Sequence, residues 1–254
     1  MKNLFYTTLT AVLVTAAPAL VCAGYDGKIH DDNQWDSWNL VQLFNQYFRD
    51  QGMSYTSSDE LYQDLGVQSI TNWTTHGSSV VGAFKVAAFQ HTLSVIGSNG
   101  QNLGSIYTVE SNTNLGEGVG IVDIEGGFQL ADGQNISFQL AAGIPSTVYD
   151  YTWSSDGENN PDGRTHMITF DVTDLYNAKN GTDFTSVYMM GWEDMPDGNA
   201  WTDWDYQDSV YFVTNLEPTD DRQHNHYETP EPATLFIFGL GIVGAAVARR
   251  YRKK

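Results

Sequence analysis

The stretch with the most potential chemistry lies between Lys179 and Arg222, where ten acidic residues occur without a single basic one. Calcium in proteins takes about six to eight oxygen ligands, and a dense set of carboxylates supplies them. The pattern therefore predicts a divalent-cation site, with Ca²⁺ as the favoured ion. We expect its ligands to come from the following residues: Asp162, Glu193, Asp194, Asp203, Asp205 and Asp208.

A second interpretation of the same carboxylates needs no metal. Asp-rich loops often cap turns by hydrogen bonds from their own backbone to the side chains. The segment is also not an EF-hand, because it lacks the Gly at the sixth position and the Glu at the twelfth. Both interpretations stay open at this point.

Segment 203–208 poses a local problem if it is a regular strand. Alternation would place Asp203 and Asp205 on one face, and Trp204, Tyr206 and Asp208 on the other. An unpaired carboxylate among apolar side chains costs several kcal/mol. We therefore expect Asp208 to be redirected by a bulge, or to be satisfied by a metal or by backbone donors.

Three histidines are candidates for a chemical role. His166 follows the Asp162-Gly163 turn, where it can bond the backbone, bond an acidic loop or ligate a metal. His224 and His226 lie in a polar segment, as solvated side chains or as weak ligands for a transition metal.

Known catalytic motifs are missing from the sequence. It has no Gly-x-Ser-x-Gly, no His-Glu-x-x-His, no Gly-x-x-x-x-Gly-Lys and no cysteine pair. We therefore predict a protein that is not an enzyme. The alternative is a carbohydrate-active hydrolase that uses paired carboxylates. Seven tryptophans and fourteen tyrosines offer stacking platforms for sugars, although strand-like spacing favours a place in the core for most of them.

The elements that must position these residues begin with two helices. Apolar residues at spacings of three and four predict a helix over residues 34–48, with Asp32 or Asp36 as its N-cap. A second helix is expected to begin after Ser57 or Ser58 and to run to about Leu65.

Short strands follow from residue 69 onward. Their spacing and their turns, at 97–100 and at a predicted Asp132-Gly133 hairpin, favour a mainly β fold, a jelly-roll-like β-sandwich. The predicted strands are 79–90, 92–96, 102–108, 126–130, 136–140, 147–153, 166–172, 186–192 and 209–214.

Charge narrows the choice of partners. The 254 residues carry a formal charge of −19, and residues 24–232 hold six basic residues against all 31 acidic ones. Such a domain does not bind nucleic acid or anionic lipid directly. The aromatic content of 13% argues for a folded core despite the charge.

The N-terminus has the composition of a secretory signal peptide. Lys2 precedes an apolar run, and a small residue, Ala23, marks a cleavage site, so residues 1–23 are expected to be removed. Cys22 raises a lipoprotein alternative, but the residues before it form a poor lipobox. Cleavage after Ala23 would leave no cysteine in the mature protein.

The C-terminus has the composition of a membrane anchor. Residues 233–248 contain no charge, and a helix of this length spans about 24 Å. Five basic residues follow it, which predicts a transmembrane helix with a cytoplasmic C-terminus and an exported domain before it.

This terminus resembles the PEP-CTERM sorting signal of Gram-negative bacteria. The matching residues are Pro230, Glu231 and Pro232, the Gly-containing apolar segment, and Arg249 and Arg250. The resemblance implies processing by an exosortase and release or transfer to the cell surface or extracellular matrix. Bacteria with such proteins typically also make extracellular polysaccharide, which makes polysaccharide or matrix a candidate partner.

A second resemblance covers roughly residues 120–215. Segments 160–166, 191–194 and 203–208 are similar to the domain-of-unknown-function family 4114, with Gln207 where that family usually has Asn. The resemblance implies an extracellular β-rich domain and no established activity.

The sequence thus predicts a surface-sorted protein, stabilised by calcium, that acts in adhesion or in association with exopolysaccharide or biofilm. The expected parts are a signal peptide (1–23), a helical segment packed on the domain (24–68), a β-sandwich (69–215), a polar linker (216–229) and the sorting signal (230–254).

Overall fold

The computed structural model describes most of the chain between its two termini. The described residues are 39–68, 70–111, 121–124, 129–143, 150–199 and 202–219. The predicted signal peptide, the sorting signal, segment 233–248, His224 and His226 all lie outside them. Within the described ranges, no helix is long and apolar enough to cross a membrane.

Two antiparallel sheets form the body of the protein, as the mainly β prediction requires. One sheet has the order β11-β1-β6-β3-β4, with β7 also paired to β6, and the other has the order β5-β2-β10-β9-β8. The strands are β1 (Trp73–Thr75), β2 (Val80–Lys85), β3 (Gln90–Gly97), β4 (Asn102–Val109), β5 (Val122–Asp123), β6 (Asn135–Gly143), β7 (Asp150–Ser154), β8 (Met167–Asp171), β9 (Val187–Trp192), β10 (Ser209–Thr214) and β11 (Leu216–Pro218).

In the part of the chain that the structure describes, three short α-helices accompany the sheets: α1 (Leu40–Tyr47), α2 (Ser58–Leu65) and α3 (Thr173–Asn180). Asn39 caps α1 in a reciprocal capping box, so the predicted N-cap at Asp32 or Asp36 is wrong. The expected cap at Ser57 is confirmed, because its side chain accepts a hydrogen bond from Glu60 N. Helix α3 was not predicted, since it buries little beyond Tyr176 and carries no side-chain cap.

The two sheets and the helices form layers, with an apolar cluster between each layer and the next. One cluster lies between the sheets and contains Trp73, Phe138 and Trp153 from the first sheet against Met190 and Tyr211 from the second. The other lies on the opposite face of the second sheet, under the helices. Because both faces of the second sheet are covered, every residue of β9 and β10 is buried.

The predictions that are wrong in the described region include two element boundaries and one hairpin. The predicted strand 79–90 ends at Lys85, and Gln90 already starts β3. The Asp132-Gly133 turn does not close a hairpin, because Gln129 bridges to Ser79 whereas β6 pairs with β1 and β3. The predicted linker begins too early, because residues 216–218 form β11 and pair with β1.

Candidate functional site

The acidic residues meet where two neighbouring strands of the second sheet end and begin. Trp192, the last residue of β9, pairs with Ser209, the first residue of β10. Glu193 and Asp194 follow β9 directly, and Asp208 precedes β10 directly, so the antiparallel pairing brings these carboxylates together.

The geometry groups five of the six predicted ligands into two overlapping triads. Glu193, Asp203 and Asp205 offer carboxylate oxygens within 4.8 Å of one another, and Glu193, Asp194 and Asp208 do the same. We call these five residues the carboxylate site. Glu193 belongs to both triads and is 1% exposed, as is Asp205, while Asp194 is 3% exposed.

Backbone amides hold the carboxylates in place. Glu193 accepts hydrogen bonds from Met195 N through Oε1 (3.0 Å) and from Trp204 N through Oε2 (2.9 Å). Asp208 Oδ2 accepts one from Asp194 N at 2.8 Å. These bonds connect two loops, the one that follows β9 (193–199) and the one that precedes β10 (202–208). The expected backbone donor for Asp208 is present.

Burial and mutual repulsion make it unfavourable for the carboxylates of this site to be charged. Burial raises the pKa of Glu193 well above its ordinary range, and the neighbouring Asp194, Asp205 and Asp203 raise it further. Burial also raises the pKa of Asp208, with Asp194 and Glu193 acting in the same direction. The site therefore favours either added protons or a bound cation.

The loop over the site is not the regular strand that alternation suggested, because β10 begins only at Ser209. Trp204 and Tyr206 both have φ of 57°, a left-handed conformation that is rare for bulky side chains and costs about 1–3 kcal/mol each. The loop also passes close to β9, since a Cβ atom on Gly191 would lie 2.5 Å from Tyr206 O. Glycine at position 191 is what permits this crossing.

Two residues that sequence reasoning missed approach the carboxylate site from the strands. Buried His91 on β3 places Nε2 2.8 Å from Asp194 Oδ2. Lys85 on β2 is fully buried, and its Nζ donates to Ala87 O at 2.7 Å. Burial lowers the pKa of Lys85 to about 8, while the negative charges of Asp194 and Asp208 oppose that shift. No motif in the sequence around either residue indicates that it lies near the carboxylate site.

Asp162, the sixth predicted ligand, belongs to neither triad. Its Oδ2 lies 2.9 Å from His166 Nε2 and also accepts a hydrogen bond from Asp197 N. Burial favours a higher pKa for Asp162, but the bonds from Asp197 N, His166 and Arg164 N outweigh it and lower the pKa. The expected acidic-loop and backbone contacts of His166 both occur, since its Nδ1 lies 2.9 Å from Glu193 O.

A stack of rings connects His166 to the first sheet. The His166 ring lies parallel to Trp153, with 3.6 Å between centroids. Trp153 Nε1 in turn donates to Asp194 O at 2.8 Å. Burial lowers the pKa of His166, although its bonds to Asp162 and to Glu193 O oppose the shift. These contacts position the backbone of both triads.

The donor set at the carboxylate site consists of oxygen atoms, which suits a hard cation such as Ca²⁺ or Mg²⁺ rather than a soft metal. Three carboxylates within 4.8 Å of one another also leave little room for a sugar ring between them. Cation binding is the chemistry that this arrangement supports best.

Among protein-family models, the PEP-CTERM protein-sorting motif matches residues 228–253. This match confirms the resemblance seen at the C-terminus. It indicates an exported protein that is sorted by an exosortase and anchored transiently in the membrane. The resemblance to family 4114 stays a prediction.

No curated protein matches the chain. Three solved bacterial lectins superpose on 59% of it: the C-terminal domain of BC2L-C from Burkholderia cenocepacia, CV2L from Chromobacterium violaceum in complex with alpha-methyl-fucoside, and a high-affinity mannose-binding lectin from Ralstonia solanacearum. The superpositions cover 97%, 98% and 97% of those chains at 13%, 13% and 17% identity, with TM-scores of 0.29, 0.28 and 0.30. Similarities this weak carry no argument about fold or function.

Proposed function

We propose that this chain is a protein of the cell surface or extracellular matrix whose β-sandwich binds a divalent cation at the carboxylate site, with Ca²⁺ as the favoured ion. The bound cation locks the two loops, and the stabilised domain acts in adhesion or in association with exopolysaccharide. The sorting motif at residues 228–253 supports the location.

The observation that carries the cation proposal is the position of Glu193. It is 1% exposed and lies within 4.8 Å of two pairs of carboxylates. Buried charges are tolerated when they are paired or coordinate a metal. An exterior compartment supplies Ca²⁺ and Mg²⁺ as counter-charges, and one ion at each triad would neutralise much of the repulsion.

Thermal melts of the full-length protein test the proposal. The protein is melted in EDTA, in Mg²⁺ and in increasing Ca²⁺, beside the double variant Asp203→Asn/Asp205→Asn. The matched control is Asp50→Asn/Asp59→Asn, which removes two exposed carboxylates elsewhere. At a Ca²⁺ concentration 100 times the Kd, we expect the melting temperatures of the wild type and the control to be about 5–10 °C higher than in EDTA.

The double variant should gain far less, because two of the ligands have lost their charge. Equal melting temperatures of the wild type in EDTA and in saturating Ca²⁺ would rule out the cation site. An equal increase in melting temperature on adding Ca²⁺ to the double variant would exclude the triad of Glu193, Asp203 and Asp205 as the ion's site. Turnover of a glycan substrate in parallel assays would instead favour the hydrolase alternative.

A further inference from the structure

The outward face of the first sheet contains a trough whose floor is strand β6. Outward-facing positions alternate along a strand, and here two consecutive ones are Ala141 and Gly143. Neither has a side chain beyond Cβ. A cavity of about 300 Å³ lies over them, which is the lower end of the size range for small-molecule sites.

Polar side chains from the two neighbouring strands form the walls of the trough. On β3, Gln90 pairs with Gly143 and Thr92 with Ala141. On β7, Asp150 pairs with Gly143 and Thr152 with Ala141. These registers place an amide and a hydroxyl along one side of the floor, and a carboxylate and a hydroxyl along the other.

The chemistry of the walls selects a neutral ligand with many hydroxyl groups. The amide of Gln90 donates and accepts, the carboxylate of Asp150 accepts from hydroxyl donors, and the two threonines do both. None of the described residues that line the trough is basic, so an anionic ligand would meet the Asp150 charge without compensation. A sugar residue supplies hydroxyls on both of its edges and fits between such walls.

The polar face continues beyond the trough. Thr92 Oγ1 lies 3.1 Å from Thr108 Oγ1, and Ser94 Oγ lies 3.3 Å from Ser105 Oγ, on the strand pair β3–β4. These hydroxyls satisfy one another and present no large apolar group. A ligand longer than one sugar unit can therefore cover the Thr92–Thr108 pair without leaving either hydroxyl unpaired.

The strands that form the walls are fixed from behind by the carboxylate site. His91 lies between Gln90 and Thr92 and points inward to Asp194, at 2.8 Å. Trp153 follows Thr152 and donates to Asp194 O. The trough and the side chains that contact Asp194 thus lie on opposite faces of the same two strands, and these inward contacts hold the walls at a fixed separation.

We infer that this trough binds a neutral sugar unit of an extracellular glycan. The inference rests on the proposed function for its location outside the cell, and it assigns the glycan contact to Gln90, Thr92, Asp150 and Thr152. The contact is separate from the cation site, so each can fail without the other.

Affinity electrophoresis of the full-length protein tests the inference, in gels that contain dextran or galactomannan, with alginate as the acidic comparison, all at saturating Ca²⁺. The variant Ala141→Ile/Gly143→Val fills the floor. Its matched control, Ser137→Ile/Gln139→Val, makes similar substitutions on the same strand and face, outside the trough. The variant Asp150→Asn removes one acceptor charge at an exposed position and should not perturb folding.

We expect at least one neutral polysaccharide to retard the wild type and the control. The filled variant should lose at least tenfold in affinity, and Asp150→Asn should lose severalfold. Absence of retardation by both neutral polysaccharides, or equal retardation of the filled variant, overturns the inference. Melts of the same samples in Ca²⁺ and in EDTA distinguish the two proposals. If Ca²⁺ still raises the melting temperature while the filled variant binds the polysaccharide normally, the trough is rejected and the cation site is not.

Discussion

Glu193 is the residue on which the account of the carboxylate site depends most. It contributes to both triads, and two backbone amides fix its oxygens. A residue shared in this way should affect every ion bound at the site. It should also be costly to keep charged when no ion is present, because burial raises its pKa.

The variant Glu193→Gln separates these two effects. We expect calcium affinity to fall at least tenfold, because each triad loses one charged ligand. The metal-free variant should lose little stability relative to the metal-free wild type at pH 7. Removal of a buried charge offsets the loss of one of the two backbone hydrogen bonds, because an amide has only one acceptor oxygen. Isothermal titration with Ca²⁺ and melts in EDTA measure the two effects. A variant that is destabilised in EDTA yet binds Ca²⁺ normally would contradict this role.

The pH dependence of the metal-free protein follows from the same carboxylates. The folded protein retains protons on Glu193 and Asp208 that the unfolded chain releases above a pKa of about 4. Stability therefore falls as the pH rises from about 4 through the raised pKa values. In EDTA, the melting temperature of the wild type should drop relative to Glu193→Gln between pH 4.5 and 8. Parallel curves would contradict the raised pKa of Glu193.

At the residue scale, the sequence predicted the five carboxylates that meet, but it also included Asp162, which belongs to neither triad, and it did not predict their partners. Glu193, Asp194, Asp203, Asp205 and Asp208 lie close in sequence, so their density was informative. Lys85 and His91 come from other strands, and a lone lysine or histidine in a strand gives no indication of burial. Their positions depend on sheet register, which the sequence alone did not specify.

At the scale of elements, the crossing of the 202–208 loop over β9 decides whether the triads can form. The loop turns through left-handed residues at Trp204 and Tyr206, and the close approach at Gly191 fixes its height above the sheet. Sequence alternation assumed an extended strand here and therefore missed the bend. By contrast, β4 and β10 lie close to where period-two alternation predicted them.

Gly191→Ala tests the crossing. A Cβ atom 2.5 Å from a backbone oxygen forces the loop or the strand to move, and such overpacking costs about 1–3 kcal/mol. We expect a lower melting temperature in EDTA and a smaller increase in melting temperature when Ca²⁺ is added. Gly82→Ala on β2 is the matched control, because its Cβ would meet only side-chain atoms at 3.1 Å or more. A full calcium gain in Gly191→Ala would show that loop height does not control the site.

At the scale of the whole molecule, export and acidity fit together. The chain carries a formal charge of −19, and the matched sorting motif at residues 228–253 indicates that it is exported. An acidic domain that requires divalent cations would be stable in a calcium-containing exterior and less stable before export. The same acidic charge would thus make the domain dependent on divalent cations and suited to the exterior that supplies them.

Processing at the C-terminus provides a test of that location. In a host with an exosortase, we expect Pro230→Ala/Pro232→Ala to block removal of the C-terminal segment and to keep the full-length chain in the membrane fraction. Cell fractionation and intact mass measure the outcome. Pro218→Ala lies outside the matched residues and should be processed normally. Normal release of the double variant would contradict recognition through this motif.

Direct binding of calcium is the measurement closest to the central claim. Full-length protein freed of metal with EDTA is titrated with Ca²⁺ in a calorimeter, beside the variants Asp203→Asn/Asp205→Asn and Asp50→Asn/Asp59→Asn. We predict saturable binding of at least one ion by the wild type and by the exposed-site control, and a loss of at least tenfold in affinity in the carboxylate-site variant. Absence of saturable binding by the wild type, or equal affinity in all three proteins, would contradict the account.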